Sequence, residues 1–241
     1  MGAKSGPGMK RFFTDVSIKA EGDDYSILLD DRPIKTPAKS PLRLPTKALA
    51  EAIADEWDRQ QEKIVPATMP LMQSAATAID RVRPQREKVI ADIAAYGATD
   101  LVCYRASHPQ NLVVRQAEAW DPLLDWIRVR HDVLLNVGAG ISHIQQPPES
   151  LEKMTAVVVA QKDMTLAPLY NITALCGSLV VALAVLDGHV TGEEAFDISE
   201  LDETHVMEFW GTDAEAMTRR KNNKESLLAS TRFLQLCGII S

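Results

Sequence analysis

Hydrophobic and polar positions change rhythm twice along the chain, and those changes mark out its elements. Between residues 12 and 45 the apolar positions fall in short alternating runs. Val16-Ser-Ile-Lys19 and Tyr25-Ser-Ile-Leu-Leu29 flank Gly22-Asp-Asp24, and Asp30-Asp-Arg-Pro33 turns the chain again. Short runs of this kind bounded by Gly, Asp and Pro predict strands joined by turns. Pro37, Pro41 and Pro45 cut the next stretch into short extended pieces. Proline lacks the N–H that a ladder needs, so these suit sheet edges. Thr46 is placed to cap a helix running to about Glu62, with Leu49, Ile53 and Trp57 on one face.

From Pro66 onward the spacing is helical. Helices are expected over Leu71 to Val82, stopping before Pro84, and from Pro84 to near Gly97, with Val89, Ile90 and Ile93 inward. A helical region over Leu112 to Val133, bent or restarted at Asp121-Pro122, carries Trp120, Leu124, Trp126 and Ile127. Another runs from about Glu149 to Lys162. Leu101-Val-Cys-Tyr104 suits either a strand or a helix, and Gly138-Ala-Gly140 reads as a turn.

The second change of rhythm falls within Leu166 to Glu215. Ile172 to Leu186 is apolar on every side of a helical wheel, which predicts a buried helix. It is shorter than the ~20 residues a bilayer span needs, so no membrane insertion is expected. The composition then inverts. Glu193, Glu194, Asp197, Glu200, Asp202, Glu203, Glu208, Asp213 and Glu215 follow, with no Lys or Arg from His189 to Thr218. Thr191 with Glu194 fits a capping box opening the acidic helix, and Thr212 with Glu215 fits a second one opening a terminal helix that ends at Gly238. The pattern as a whole predicts an α+β chain, with a small β-rich N-terminal domain (residues 9–65) and a larger, mainly α-helical domain (66–241) carrying the acidic segment.

Composition narrows the function. The 241 residues, 46% hydrophobic and 24% charged, suffice for a substantial core. A net charge of −7 argues against nucleic acid as a partner, because phosphate binding needs a basic surface. Cys103, Cys176 and Cys237 are far apart and odd in number, which points to reduced thiols, with neither a disulfide framework nor a zinc site. The opening Met1 to Gly8 is small and flexible in composition. It has neither the apolar core of a secretion signal nor the Arg-rich pattern of a transit peptide.

Motifs that would carry catalysis are missing. There is no phosphate-cradling Gly-rich loop and no nucleophile elbow, and Gly177-Ser178 falls inside the apolar stretch. No cofactor or metal is expected. His131, His143 and His189 read as exposed or loop histidines. One weaker arrangement is His205-Val-Met-Glu208, which sets an imidazole and a carboxylate one turn apart. Together with Glu203, it supports a metal-dependent hydrolase as the alternative function.

The acidic run has two readings. It is either a solvated helix face, its charges met by Arg219, Arg220, Lys221 and Lys224, or a surface that docks a basic or polar partner. Helix-dipole complementarity accounts for Glu193 and Glu194 but not for Asp202, Glu203 and Glu208, which lie beyond the first turn. Phe209 and Trp210 beside them fit interface anchors, with Trp210 as a core residue the other option.

An ordered set of motifs spans about Phe12 to Glu215. It comprises Tyr25-Ser-Ile-Leu-Leu-Asp-Asp-Arg-Pro-Ile-Lys-Thr-Pro37, Leu44-Pro-Thr46, Ile53-Ala-Asp-Glu-Trp57, Met69-Pro-Leu71 and Thr99-Asp-Leu-Val-Cys-Tyr-Arg105. It continues with Trp120-Asp-Pro-Leu-Leu-Asp-Trp126, Gly177-Ser-Leu-Val-Val-Ala-Leu183, and Leu201-Asp-Glu203 with Trp210-Gly211. This set resembles the assembly chaperones of the ATP synthase catalytic head, the type that attends the alpha subunit. The resemblance implies a two-part fold, no ATP hydrolysis, no enzymatic activity and no cofactor. It also implies a role in holding the free alpha subunit against aggregation until the beta subunit joins it in the hexamer. A holdase of that kind is expected to act as a monomer, in a bacterial cytoplasm or a mitochondrial matrix. Carried over residue by residue, the partner-binding positions are Glu203 and Glu208, with Asp202 and Trp210 beside them. The chain departs from the family at His205 and Val206, where relatives often carry an aromatic followed by Gln, and the position matching Glu208 is not always acidic.

Overall fold

The computed structural model describes residues 9–140 and 142–240; the opening Met1 to Gly8 stretch therefore lies outside the described residues. The N-terminal strands form where the alternation places them. β1 (Val16–Glu21) and β2 (Asp24–Leu29) make an antiparallel hairpin with Val16 opposite Leu29 and Glu21 opposite Asp24. Gly22 turns the hairpin at φ 67°, a conformation that favours a residue without Cβ. β3 (Arg32–Pro33) adds a short edge. Ile27 and Leu29 are buried in a cluster with Leu49 and Ile53 of α1 (Lys47–Asp58). Thr46 caps α1 as expected, accepting from Leu49 N–H at 3.2 Å, but the helix ends at Asp58 and not near Glu62. The same hydroxyl donates to the carbonyl of Leu236, which ties this unit to the end of the chain.

The helices follow as α2 (Pro70–Thr77), α3 (Arg86–Ala94), α4 (Gln110–His131), α5 (Pro148–Val159) and α6 (Asp163–Cys176). After them come α7 (Leu179–Leu186), α8 (Gly192–Ser199), α9 (Leu201–Trp210) and α10 (Ala214–Leu236). α2 runs into a wider π turn (Ala78–Val82), and Pro84 sits in a 3₁₀ turn before α3 instead of opening it. α4 carries Pro122 without restarting. Leu101–Cys103 is a 3₁₀ turn leading into β4 (Tyr104–Arg105), which pairs in parallel with β5 (Gly138–Ala139). The expected turn at Gly138 is thus half of a two-residue sheet, a long-range pairing that no local signal announces. His131 and His189 are engaged as well. His189 stacks on Trp126 at 5.0 Å, and His131 reaches Asp187 at 3.1 Å.

Burial of the apolar stretch is as expected, but it is two helices. Gly177 takes a left-handed φ of 61° and ends α6; Ser178 then caps α7 by accepting from Val181 N–H at 3.0 Å. Every residue of α7 is buried. Beneath the joint lies Asp100, fully buried, which accepts from Val180 N–H at 2.9 Å and from the Ser178 hydroxyl. Burial pushes its pKa up to about 6, against the lowering effect of those donors. The central cluster around α7 draws in Trp120, Ile127, Met154, Leu166 and Leu227 from four other helices. Cys103 and Cys176 lie in it as free thiols, raised by burial to about 12. A second cluster gathers the N-terminal strands, α1, residues of α2 and Phe233 of α10, and Met164 touches both clusters. No described helix is long and apolar enough to cross a membrane.

Candidate functional site

The acidic segment is likewise two helices. The Thr191–Glu194 capping box opens α8 as expected: Glu194 N–H donates to Thr191 Oγ1 at 3.2 Å, and Thr191 N–H donates to Glu194 Oε2 at 2.7 Å. Those bonds hold the Glu194 carboxyl below its ordinary range. α8 starts hard against α10, where a Cβ on Gly192 would come 2.7 Å from Thr231 Oγ1. Its Phe196 is buried, with Arg220 and Lys224 of α10 over the ring at 5.4 and 5.3 Å. The chain breaks at Glu200, then runs as α9 to Gly211, where φ is 79°. The second expected capping box is corrected. α10 is capped by Asp213, which accepts from Ala216 N–H at 2.7 Å; the aspartate lies one residue nearer the helix than Thr212 and reaches the free amide directly.

Apolar packing secures little of α9. His205 is its one buried residue, at 6% exposure; the ring is tilted against Phe209 at 4.8 Å, and Nδ1 has no hydrogen-bond partner. Polar contacts supply the rest of the anchorage. Gln116 of α4 donates from Nε2 to Asp202 Oδ1 at 2.7 Å, and the adjacent Arg115 pairs with Glu208 at 2.6 Å. Just before α9, Trp120 donates from its indole to the Ile198 carbonyl at the end of α8, at 3.0 Å. From α10, Arg220 donates to Thr204 Oγ1 at 2.6 Å and sits 3.6 Å from Glu200. Burial pushes the Glu200 carboxyl above its ordinary range; Arg220 opposes that and Glu203 adds to it.

The four residues singled out from sequence therefore lie on one helix in different settings. Asp202 and Glu208 are held by α4. Glu203 is exposed and lines a cleft of about 150 Å³ with Arg219, Arg220 and Asn223 of α10. Trp210 is 87% exposed, beside Phe209 at 64%, so the core alternative for Trp210 does not hold. Val206 and Met217 are also exposed. Of the four cations expected to meet the acidic run, Arg220 pairs with Glu200, while Lys221 pairs with Glu225 along its own helix. The sequence reading missed Arg115 and Gln116 and placed Trp120 only as a helix and motif residue; all three sit roughly eighty to ninety residues upstream and carry no local mark of their partners. His205, Glu203 and Glu208 do not converge. Among the described residues no group of three His, Cys, Asp or Glu side chains could hold a metal ion.

α9 is thus held by polar pins and ends in exposed aromatics, and the cleft beside it, at about 150 Å³, is smaller than a typical small-ligand pocket. A family model described as ATP12 chaperone protein matches residues 10–128. The crystal structure of Atp12 from Paracoccus denitrificans superposes with a TM-score of 0.92 at 41% identity, covering 95% of this chain and 98% of that one. The chain belongs to the ATP12 chaperone family. An Asp-to-Lys mutant of the same Paracoccus protein aligns equally well. A solved protein from Agrobacterium tumefaciens aligns with a TM-score of 0.86 at 38% identity, over 93% of this chain and 86% of that one. The mitochondrial Atp12 protein of Schizosaccharomyces pombe is 24% identical, covering 96% of this chain and 84% of its own length. The ATP12 family is the family of ATP synthase assembly chaperones that the ordered motifs resembled, and its mitochondrial and bacterial members fit the two compartments expected from the sequence.

Proposed function

We propose that this chain is an ATP-independent chaperone that holds the free alpha subunit of the F-type ATP synthase, keeps it from aggregating, and yields it to the beta subunit during assembly of the hexamer. A lone alpha subunit exposes an apolar interface large enough to drive self-association. A monomeric holdase covers that surface and then gives way to a larger, permanent one. The docking surface is α9, with Glu203 and Glu208 as its carboxylates and Asp202 and Trp210 beside them. Trp210 carries the proposal: a side chain 87% exposed, continuous with exposed Phe209 and set among carboxylates, is costly to leave in water and suits a central interface anchor. The carboxylates would set encounter rate and orientation more than final affinity.

The test is light scattering of freshly diluted alpha subunit with this protein, with Glu203→Lys and with Trp210→Ala. Both substitutions are exposed, so each should change folding stability by less than about 0.5 kcal/mol. The wild type should suppress scattering; Trp210→Ala should lose most of the effect, and Glu203→Lys should lose more at low salt than at high salt. Full suppression by both folded variants would keep the chaperone role and remove α9 as its surface. An aggregating client that the wild type does not protect would refute the role itself.

A further inference from the structure

Gln116 has an unusual position for a polar side chain. It is 1% exposed in the middle of α4, and both ends of its amide are engaged by different parts of the fold. Oε1 accepts from the backbone N–H of Ala106, just after β4, at 2.7 Å, while Nε2 donates to Asp202 Oδ1 at 2.7 Å. The Ala106 end is firmly placed by its neighbour. Arg105 donates to the carbonyls of Val102 and Gln116 at 2.8 and 3.1 Å, pairs with Asp121 at 2.9 Å and lies over the Trp120 ring. The amide has only one usable orientation, because a flip would set NH₂ against N–H and oxygen against carboxylate. Gln116 thus spans a fixed distance between the β4 segment and the second residue of α9.

That span matters because α9 lacks a buried apolar stripe to fix its rotation. At 100° per residue, Glu203 and Trp210, seven positions apart, share one face, and Asp202 lies a quarter-turn round. The hold on Asp202, together with the Arg220–Thr204 bond from α10 and the buried His205, sets where Glu203 and Trp210 point. The Arg115–Glu208 pair is half-exposed on both sides and is open to water and salt, so it gives a looser hold. We infer that Gln116 is a positioning residue for the docking surface, and that Asp202 acts chiefly as its receiver, fixing the rotation of α9 so that Glu203 and Trp210 face the partner. This inference rests on the docking role proposed for α9.

Gln116→Glu tests it, because the substitution keeps the size and the acceptor for Ala106 but sets a carboxylate against Asp202. The double variant Gln116→Glu with Asp202→Asn restores the bond with donor and acceptor exchanged. Two quantities are measured: hydrogen exchange of residues 201–211 compared with those of α7, and affinity for the isolated alpha subunit. Gln116→Glu should raise exchange in α9 and weaken affinity, each on the order of tenfold, the worth of one hydrogen bond to a charged group. Exchange in α7 should not change, and the double variant should recover both losses. Gln116→Met, which removes both the donor to Asp202 and the acceptor for Ala106 without adding charge, replaces the glutamate variant if that one fails to fold. Unchanged α9 exchange, or a double variant no better than the single, overturns the inference. So does wild-type binding that survives Gln116→Glu. Absence of binding by the wild type is a different result, which refutes the docking role.

Discussion

α6–α7 and α8–α9 are neighbouring helix pairs, each broken by a short joint, and they are held in opposite ways. The first is broken at Gly177-Ser178 over a buried carboxylate, and all of α7 lies out of water. The second is broken at Glu200, and in α9 only His205 is buried, while Gln116, Arg115 and Arg220 hold it from the side. Fully burying a Val or Leu side chain stabilises by roughly 1.5–3 kcal/mol, whereas exposed ion pairs give about 0–1 kcal/mol. The chain thus keeps its stability in α6–α7 and in the packed α8, and leaves α9 exposed and held mainly by polar contacts.

The largest expected contrast is between Leu183→Ala and Met207→Ala. Leu183 is fully buried, and its truncation should cost about 3 kcal/mol in a denaturant titration, since the cavity cannot collapse in a packed interior. Met207→Ala in half-buried α9 should cost less than about 1 kcal/mol. Equal losses would abolish the division between the two pairs.

Asp100 sharpens the comparison through pH. Its carboxyl is raised from 3.8 to about 6 on folding, so the folded state binds the proton more tightly than the unfolded state. Its contribution to stability is fully present below about pH 4 and is lost as pH rises through 6, by roughly 3 kcal/mol in total. Asp100→Asn keeps an acceptor for Val180 N–H and has no charge to bury. Relative to the wild type it should therefore gain stability between pH 4 and 7. Parallel pH profiles for the two proteins would show that the donors around the joint fully offset the burial of the carboxylate.

Glu208→Gln is expected to have the smallest effect. It removes a pair with both side chains nearly half exposed, and should shift stability by no more than about 0.5–1 kcal/mol, a difference that disappears in 1 M salt. A larger, salt-insensitive loss would make Arg115–Glu208 a structural fastener of α9.

Much of this was legible in sequence because the signals are local. Alternation around Gly22 gave the hairpin, Thr46 and Thr191 announced their helices, and the uniform apolarity after Ile172 forced burial. The breaks were harder to read. An all-apolar run gives no phase by which to see a helix end, and the left-handed Gly177 is an ordinary glycine until its neighbours turn. Density and the absence of nearby cations likewise marked the acidic run, and the family resemblance narrowed it to Glu203 and Glu208 with Asp202 and Trp210 beside them.

By itself, then, the sequence determined the α+β layout, the family, the buried apolar stretch and the helix on which the candidate site lies. Each of these rests on residue spacing within a few turns or on an ordered set of motifs. Only the tertiary structure decided that Trp210 faces water, that Asp202 and Glu208 are taken up by α4, and that Gln116 lies between β4 and α9. The contacts between α4 and α9 join residues about ninety positions apart. Their partners are selected by how whole helices pack, and nothing in the local pattern of either segment encodes that choice.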